Sequence, residues 1–255
     1  MRAITWVSIK EFIRNKILLG IIFMAVAIIF GSVVISSLAL SEWEKIIVDF
    51  SFSAMEFFAL ITTLFLWSYL IWNELNKNTI LLILSKNPSR KDFIIGKFFG
   101  FSALLLTELI VMFLAFLVIA LLYNIPLNIY YLVGVYFIFL KMEVILAFVL
   151  FFSTFVSPFI ALFGAIWIYF VSHSTSFIKF FVYEFNKWWA LERGITSALY
   201  YIFPNFQALS LKEYFLSPYL NNYNWIRVWM SSLEAMFFIL VLLIWAIWIF
   251  NQREF

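Results

Sequence analysis

The amino-acid sequence predicts an all-α integral membrane protein with six transmembrane helices. Three observations carry this. Of the 255 residues, 65% are hydrophobic and 12% are charged, whereas soluble domains average about half apolar and about a quarter charged. Six apolar runs follow one another at 17–40, 52–72, 98–123, 129–155, 158–180 and 229–250, each near the roughly 20 residues that cross a bilayer core. Lys and Arg are also spread unevenly over the connecting segments, as in a chain threaded through a membrane in one orientation.

The N-terminal residues precede an apolar run, Ile17 to Leu40, that is 24 residues long. A signal-peptide core is about 7–15 residues and ends at a small-residue cleavage site, so this run is expected to be a span. Before it, Trp6, Ile9 and Ile13 share a narrow arc at helical spacing, with Lys10, Glu11, Arg14 and Asn15 on the other side. That pattern predicts an amphipathic helix in the membrane interface, although Ile4 and Val7 spoil it; a plain basic flank of the first span is the other reading.

The segment 41–51 is read as a loop with Glu42, Glu44 and Asp49 against Lys45. Between spans two and three, residues 73–97 hold Lys77, Lys86, Arg90, Lys91 and Lys97. Within that loop, Ile80 to Leu84 is an unbroken aliphatic run, and Asn87-Pro88-Ser89 then breaks the chain. Ser89 can cap a helix that opens Arg90-Lys91-Asp92 and rises into the third span. An apolar helix held at a cytoplasmic surface is a docking element for a soluble partner.

Spans three and four form a hairpin around Asn124 to Asn128, which contains Pro126. Ser157-Pro158 is read as a tight turn between spans four and five, or as a kink in one longer helix. Residues 181–228 are irregular, with Trp188, Trp189, Tyr200, Tyr201, Tyr214, Tyr219, Tyr223 and Trp225. Short interfacial helices broken at Gly194, Pro204 and Pro218 are expected there, because so many rings are costly in water.

Segments 1–16, 73–97 and 251–255 hold ten Lys and Arg residues, whereas 41–51 and 124–128 hold one, Lys45. This asymmetry puts both termini and the 73–97 loop in the cytoplasm and residues 181–228 outside. No repeat or linker is visible, so residues 1–255 are read as one membrane domain.

The central loop also carries a family resemblance. Glu74, Thr79, Leu82, Leu84, Ser85, Pro88, Ser89, Arg90, Gly96 and Lys97 resemble the first cytoplasmic loop of permease subunits of type 2 ATP-binding-cassette exporters. Asn78 stands where that family often has Gly, and Asn tolerates left-handed backbone almost as well. Ile9 to Lys16 resembles the elbow helix that opens such permeases, and Tyr200 to Phe206 resembles their P-N-x-x-x-L element before the last span. The resemblance implies an elbow helix with Trp6, Lys10 and Arg14, and a coupling helix with Glu74, Thr79, Leu82, Leu84 and Arg90 seated on a separate ATPase subunit. It further implies a second permease copy or homologue, a bacterial or archaeal cytoplasmic membrane, and ATP and Mg bound on the partner ATPase.

Several chemistries are excluded from the chain itself. Gly96-Lys97 lacks the earlier Gly and the following Ser or Thr of a P-loop. There are no cysteines and a single His, His173, so no cofactor is expected in this chain. The +3 charge follows the loop bias and does not suggest nucleic acid. An intramembrane lipid-modifying enzyme using Glu108, Glu143 or His173 is one alternative to a transporter subunit; a secondary transporter is another. His173 is otherwise read as bonded to headgroups or to a neighbouring helix.

Glu108, Lys141 and Glu143 are the charges deepest in the expected spans. Glu108 lies about 22 Å down its helix from the hairpin tip and Lys141 about 18 Å, so the sequence predicts that they pair. Glu143, two residues from Lys141, is expected to face a different surface, either the pathway or a partner permease.

Overall fold

The computed structural model describes residues 16–37, 42–66, 90–175, 203–210 and 225–252. All the long elements among them are helices: α1 (Lys16–Ser36), α2 (Trp43–Ile61), α3 (Arg90–Leu122), α4 (Ile129–Ser153), α5 (Pro158–His173) and α6 (Trp225–Gln252). A π-helical turn, Thr62–Leu66, continues α2. Five of the helices are long and apolar enough to cross a membrane, while the apolar stretch of α5, Phe159–His173, is shorter. The protein is therefore a multi-pass, all-helical membrane protein.

The second helix begins at Trp43 rather than at 52. Most of the segment expected as an outer loop is thus helical. Glu44 sits in the first turn, where an acidic side chain favours the helix dipole. Lys45 pairs with Glu42 at 2.8 Å. Glu42 itself adopts left-handed backbone, φ 64°. The third helix is continuous from Arg90 to Leu122, about 50 Å at 1.5 Å per residue. It starts where the sequence expects a helix after Ser89, before the apolar run at 98, and the sixth helix likewise starts at Trp225 rather than at 229.

The hairpin between α3 and α4 is closed by backbone chemistry written in the sequence. Asn124 takes φ 53°. The Ile125 N–H donates to Ala120 O at 2.8 Å and the Asn124 N–H to Leu121 O at 3.4 Å, the pair of bonds that ends a helix on a left-handed residue. Ile125 folds inward and is buried. Pro126 prevents continuation, and the Asn128 side chain caps α4 by accepting from the Tyr130 N–H at 3.3 Å.

The fourth helix ends at Ser153, and Pro158 opens α5 at a position where its missing N–H costs nothing. The two helices pack together. Lys141 lies about 18 Å before the end of α4 and Tyr169 about 16 Å after the start of α5, yet both reach the same oxygen of Glu56. The Ser157-Pro158 junction is therefore a turn and not a kink. Near it a Cβ on Gly164 would stand 3.2 Å from the Phe152 ring, the close approach that small residues allow between membrane helices.

The bundle is built around α4. Every residue from Leu140 to Leu150 is buried, and α2, α3, α5 and α6 all pack against it. Phe52, Phe116 and Tyr131 meet at 5.4–5.9 Å between ring centroids, joining α2, α3 and α4. By contrast α1 and α6 show large apolar side chains outward, among them Phe23, Val34, Trp229, Phe237 and Trp248. A face of that kind suits hydrocarbon.

Ring contacts also fix which helix ends meet. Trp43, at the start of α2, lies 6.2 Å from Tyr123, at the end of α3. Phe93, near the start of α3, stacks on Phe250, near the end of α6, at 5.8 Å. The short link 37–42 makes α1 antiparallel to α2, against which it packs. The start of α1, the end of the π turn, the start of α3 and the end of α6 therefore share one end of the bundle.

Candidate functional site

Three carboxylates and one amine lie in the middle of this apolar bundle. Glu56 is about 20 Å along α2, Glu108 about 21 Å from the end of α3, and Lys141 and Glu143 about 18 and 21 Å along α4. All four are buried. Side chains with ionisable groups at this depth are rare and are functional candidates by default.

Glu56 is the hub. Its Oε1 accepts from Lys141 Nζ at 2.9 Å and from the Tyr169 hydroxyl at 3.3 Å, and His173 Nε2 stands 3.5 Å away. Three helices converge on one oxygen. The Tyr169 and His173 rings lie against each other at 4.7 Å, so the charge pair is roofed by aromatic surface. Phe206 completes that roof, fully buried and 6.1 and 6.0 Å from the two rings.

Phe206 is held by a turn that its neighbours organise. Asn205 Oδ1 accepts from the N–H groups of Gln207 and Ala208, both at 3.1 Å, and from the Thr175 hydroxyl at 3.0 Å. The Phe206 N–H donates to Ser172 O at 3.2 Å. Glu234 of α6 accepts from the Asn205 N–H at 3.4 Å. The Pro204-Asn205 element thus joins the end of α5 to the start of α6, and Leu209 is buried beside it. Gly194 and Pro218, with the rest of the aromatic segment, lie outside the described residues.

The other two carboxylates are held by hydroxyls. The Thr62 hydroxyl donates to Glu108 Oε1 at 2.8 Å, and the Ser102 hydroxyl donates to Glu143 Oε2 at 2.6 Å. Thr62 is the first residue of the π turn, and such turns occur frequently at functional sites. No group of three or more His, Asp or Glu residues able to hold a metal ion is present among the described residues.

Two expectations are corrected here. Lys141 pairs with Glu56, not with Glu108, because rotation of the helices about their axes turns Glu108 toward the end of α2 while Lys141 faces its middle. Glu143 does not face a second surface; it is buried inside the chain against α3. Of the other expected site residues, Arg90 is the first residue of α3. Trp6, Lys10, Arg14, Glu74, Thr79, Leu82 and Leu84 lie outside the described residues. His173 Nε2 lies 3.5 Å from Glu56 Oε1 of α2.

Sequence reasoning missed Glu56, Thr62, Ser102 and Tyr169. With span two begun at 52, Glu56 falls at a membrane edge and needs no partner; with α2 begun at Trp43, it falls well inside. The available signal was Glu44, an acid suited to a first helical turn, directly after Trp43. No family model matches the chain, and no curated protein does.

Proposed function

We propose that this chain is the membrane subunit of an ATP-binding-cassette transporter, of the exporter type, that forms half of a translocation pathway. The observation that carries the reading is the loop pattern Glu74, Thr79, Leu82, Leu84, Pro88-Ser89-Arg90 and Gly96-Lys97. A separate ATPase subunit binds ATP and Mg, and a second permease copy or homologue encloses the pathway. The protein resides in a bacterial or archaeal cytoplasmic membrane with both termini inside.

The architecture supports this reading in one respect. The segments 1–15, 67–89 and 253–255 are attached to helix ends that share one end of the bundle, and together with Lys16, Arg90, Lys91 and Lys97 at those ends they hold ten of the 17 Lys and Arg of the chain. One basic end is the arrangement that the cytoplasmic leaflet favours. The Ile80 to Leu84 run acts as the coupling helix, with Glu74 and Arg90 orienting its two ends. Residues 1–16, with Trp6, Lys10 and Arg14, act as the elbow helix beside it. When ATP draws the two ATPase subunits together, the coupling helices move and the pathway changes its access.

Copurification tests the proposal. The double variant Leu82→Asp, Leu84→Asp is expected to fold and to lose its ATPase partner, since an unpaired charge in an apolar groove costs several kcal/mol. Recovery of the ATPase chain with the double variant at wild-type yield would sink the proposal.

A further inference from the structure

Glu108 and Glu143 differ from Glu56 in having no cation beside them. Lys141 reaches Glu56. Among the described residues, no Lys, Arg or His nitrogen comes within ion-pair distance of Glu108 or Glu143. Each carboxyl has one hydroxyl donor on one oxygen. The other oxygen, Glu108 Oε2 or Glu143 Oε1, is enclosed and accepts no hydrogen bond. The two residues are 1% and 4% exposed.

An ionised carboxylate offers about four lone-pair sites. One hydroxyl satisfies one of them, and a charge left bare at mid-membrane is among the costliest groups a helical bundle can hold. Electroneutrality calls for a positive partner small enough to reach an oxygen that the packing has closed off. A divalent ion asks for six or more oxygens, far more than the single carboxylate and single hydroxyl each site offers. Na⁺, also a hard ion, likewise surrounds itself with several oxygens, whereas a proton needs only one.

We propose that Glu108 with Thr62 forms a mid-membrane proton-binding site, and that Glu143 with Ser102 is a second carboxyl of the same kind. The Glu108 site stands where α2 passes into its π turn, and α3 brings the carboxyl to it. The site does not depend on an ATPase partner and holds for any transporter built on this bundle.

Infrared spectroscopy of the purified protein in lipid nanodiscs tests it, comparing wild type with Glu108→Gln, Glu143→Gln and Thr62→Val in NaCl and in choline chloride. Wild type shows the C=O stretch of a neutral carboxyl in apolar surroundings in both salts. One component of that band is lost in Glu108→Gln and shifted in Thr62→Val, which removes the hydroxyl from Oε1; another is lost in Glu143→Gln. Should Glu108→Gln fail to fold, Thr62→Val reports on the native Glu108 alone. Removal by Glu108→Gln of carboxylate bands in place of a neutral one, bands that shift between the two salts, or no band change in Thr62→Val overturns the proposal.

Discussion

The Glu56–Lys141 pair makes a quantitative test of how this bundle is held. Glu56→Gln leaves the Lys141 ammonium buried with an amide in place of a carboxylate, and Lys141→Met leaves the carboxylate facing a thioether. Removing one member of a buried pair costs about 3–5 kcal/mol. Tyr169 and His173 still approach Glu56 in Lys141→Met, and a hydrogen bond to a charged group contributes about 1.5–3 kcal/mol. That variant therefore falls at the lower end of the range and Glu56→Gln at the upper. The double variant Glu56→Leu, Lys141→Met removes both charges together. Such replacements are often neutral or stabilising, so its cost reduces to the orphaned Tyr169 hydroxyl, about 1–3 kcal/mol. The double variant is thus expected to be more stable than Glu56→Gln alone. Equilibrium unfolding in mixed micelles measures all three on one scale. If either single variant unfolds with wild type, or if the double loss equals the sum of the single losses, the two side chains are not a coupled pair and the hub is wrong.

Four further outcomes are expected. A Cβ on Gly164 meets the Phe152 ring at 3.2 Å, so Gly164→Ile is expected to lower stability by about 1–3 kcal/mol through overpacking, with Gly164→Ala costing less; equal stability of all three in the same unfolding assay would refute the close approach. At Asn124, φ 53° is tolerated by Asn or Gly but costs a β-branched residue about 1–2 kcal/mol, so Asn124→Gly is expected to match wild type and Asn124→Val to fall. Glu42 holds φ 64° while its pair with Lys45 is largely exposed, so Glu42→Gly is expected to melt at or above wild type, and a clear drop would show that the side chain contributes more than the backbone loses. Finally, a cysteine placed at Arg90, in a chain with none of its own, should resist an impermeant thiol reagent in intact cells, and labelling there would reverse the proposed orientation.

Hydrophobic run length and turn chemistry made much of the architecture readable in the sequence. A run of some twenty apolar residues has one way to satisfy its backbone in a bilayer, as a helix, so the order of the helices followed from composition, although five rather than six of them are long enough to cross. The α3–α4 hairpin was legible because Asn124, Pro126 and Asn128 each impose a local backbone geometry that needs no distant partner. The start of α3 at Arg90 was legible for the same reason.

Partner choice was not legible, and the reason is physical. Depth along a helix can be counted from sequence, but the direction in which a side chain points around the axis depends on how the helix is rotated against its neighbours. In a soluble helix an apolar stripe reveals that rotation. The stretch Leu140 to Leu150 of α4 is buried on every side, and its sequence is apolar nearly all round apart from Lys141 and Glu143, so it offers no stripe to read. Lys141 and Glu108 matched in depth, but tertiary packing turned one to Glu56 and the other to Thr62. The position of Glu56 itself hung on where α2 begins, because a charge-bearing first turn such as Trp43-Glu44-Lys45 reads as loop until the packing of Trp43 on Tyr123 makes it helix. From sequence alone came a multi-pass helical bundle with its charges at mid-depth; which charges were neutralised by protein, and which were left with a bare oxygen, was decided only when the helices packed.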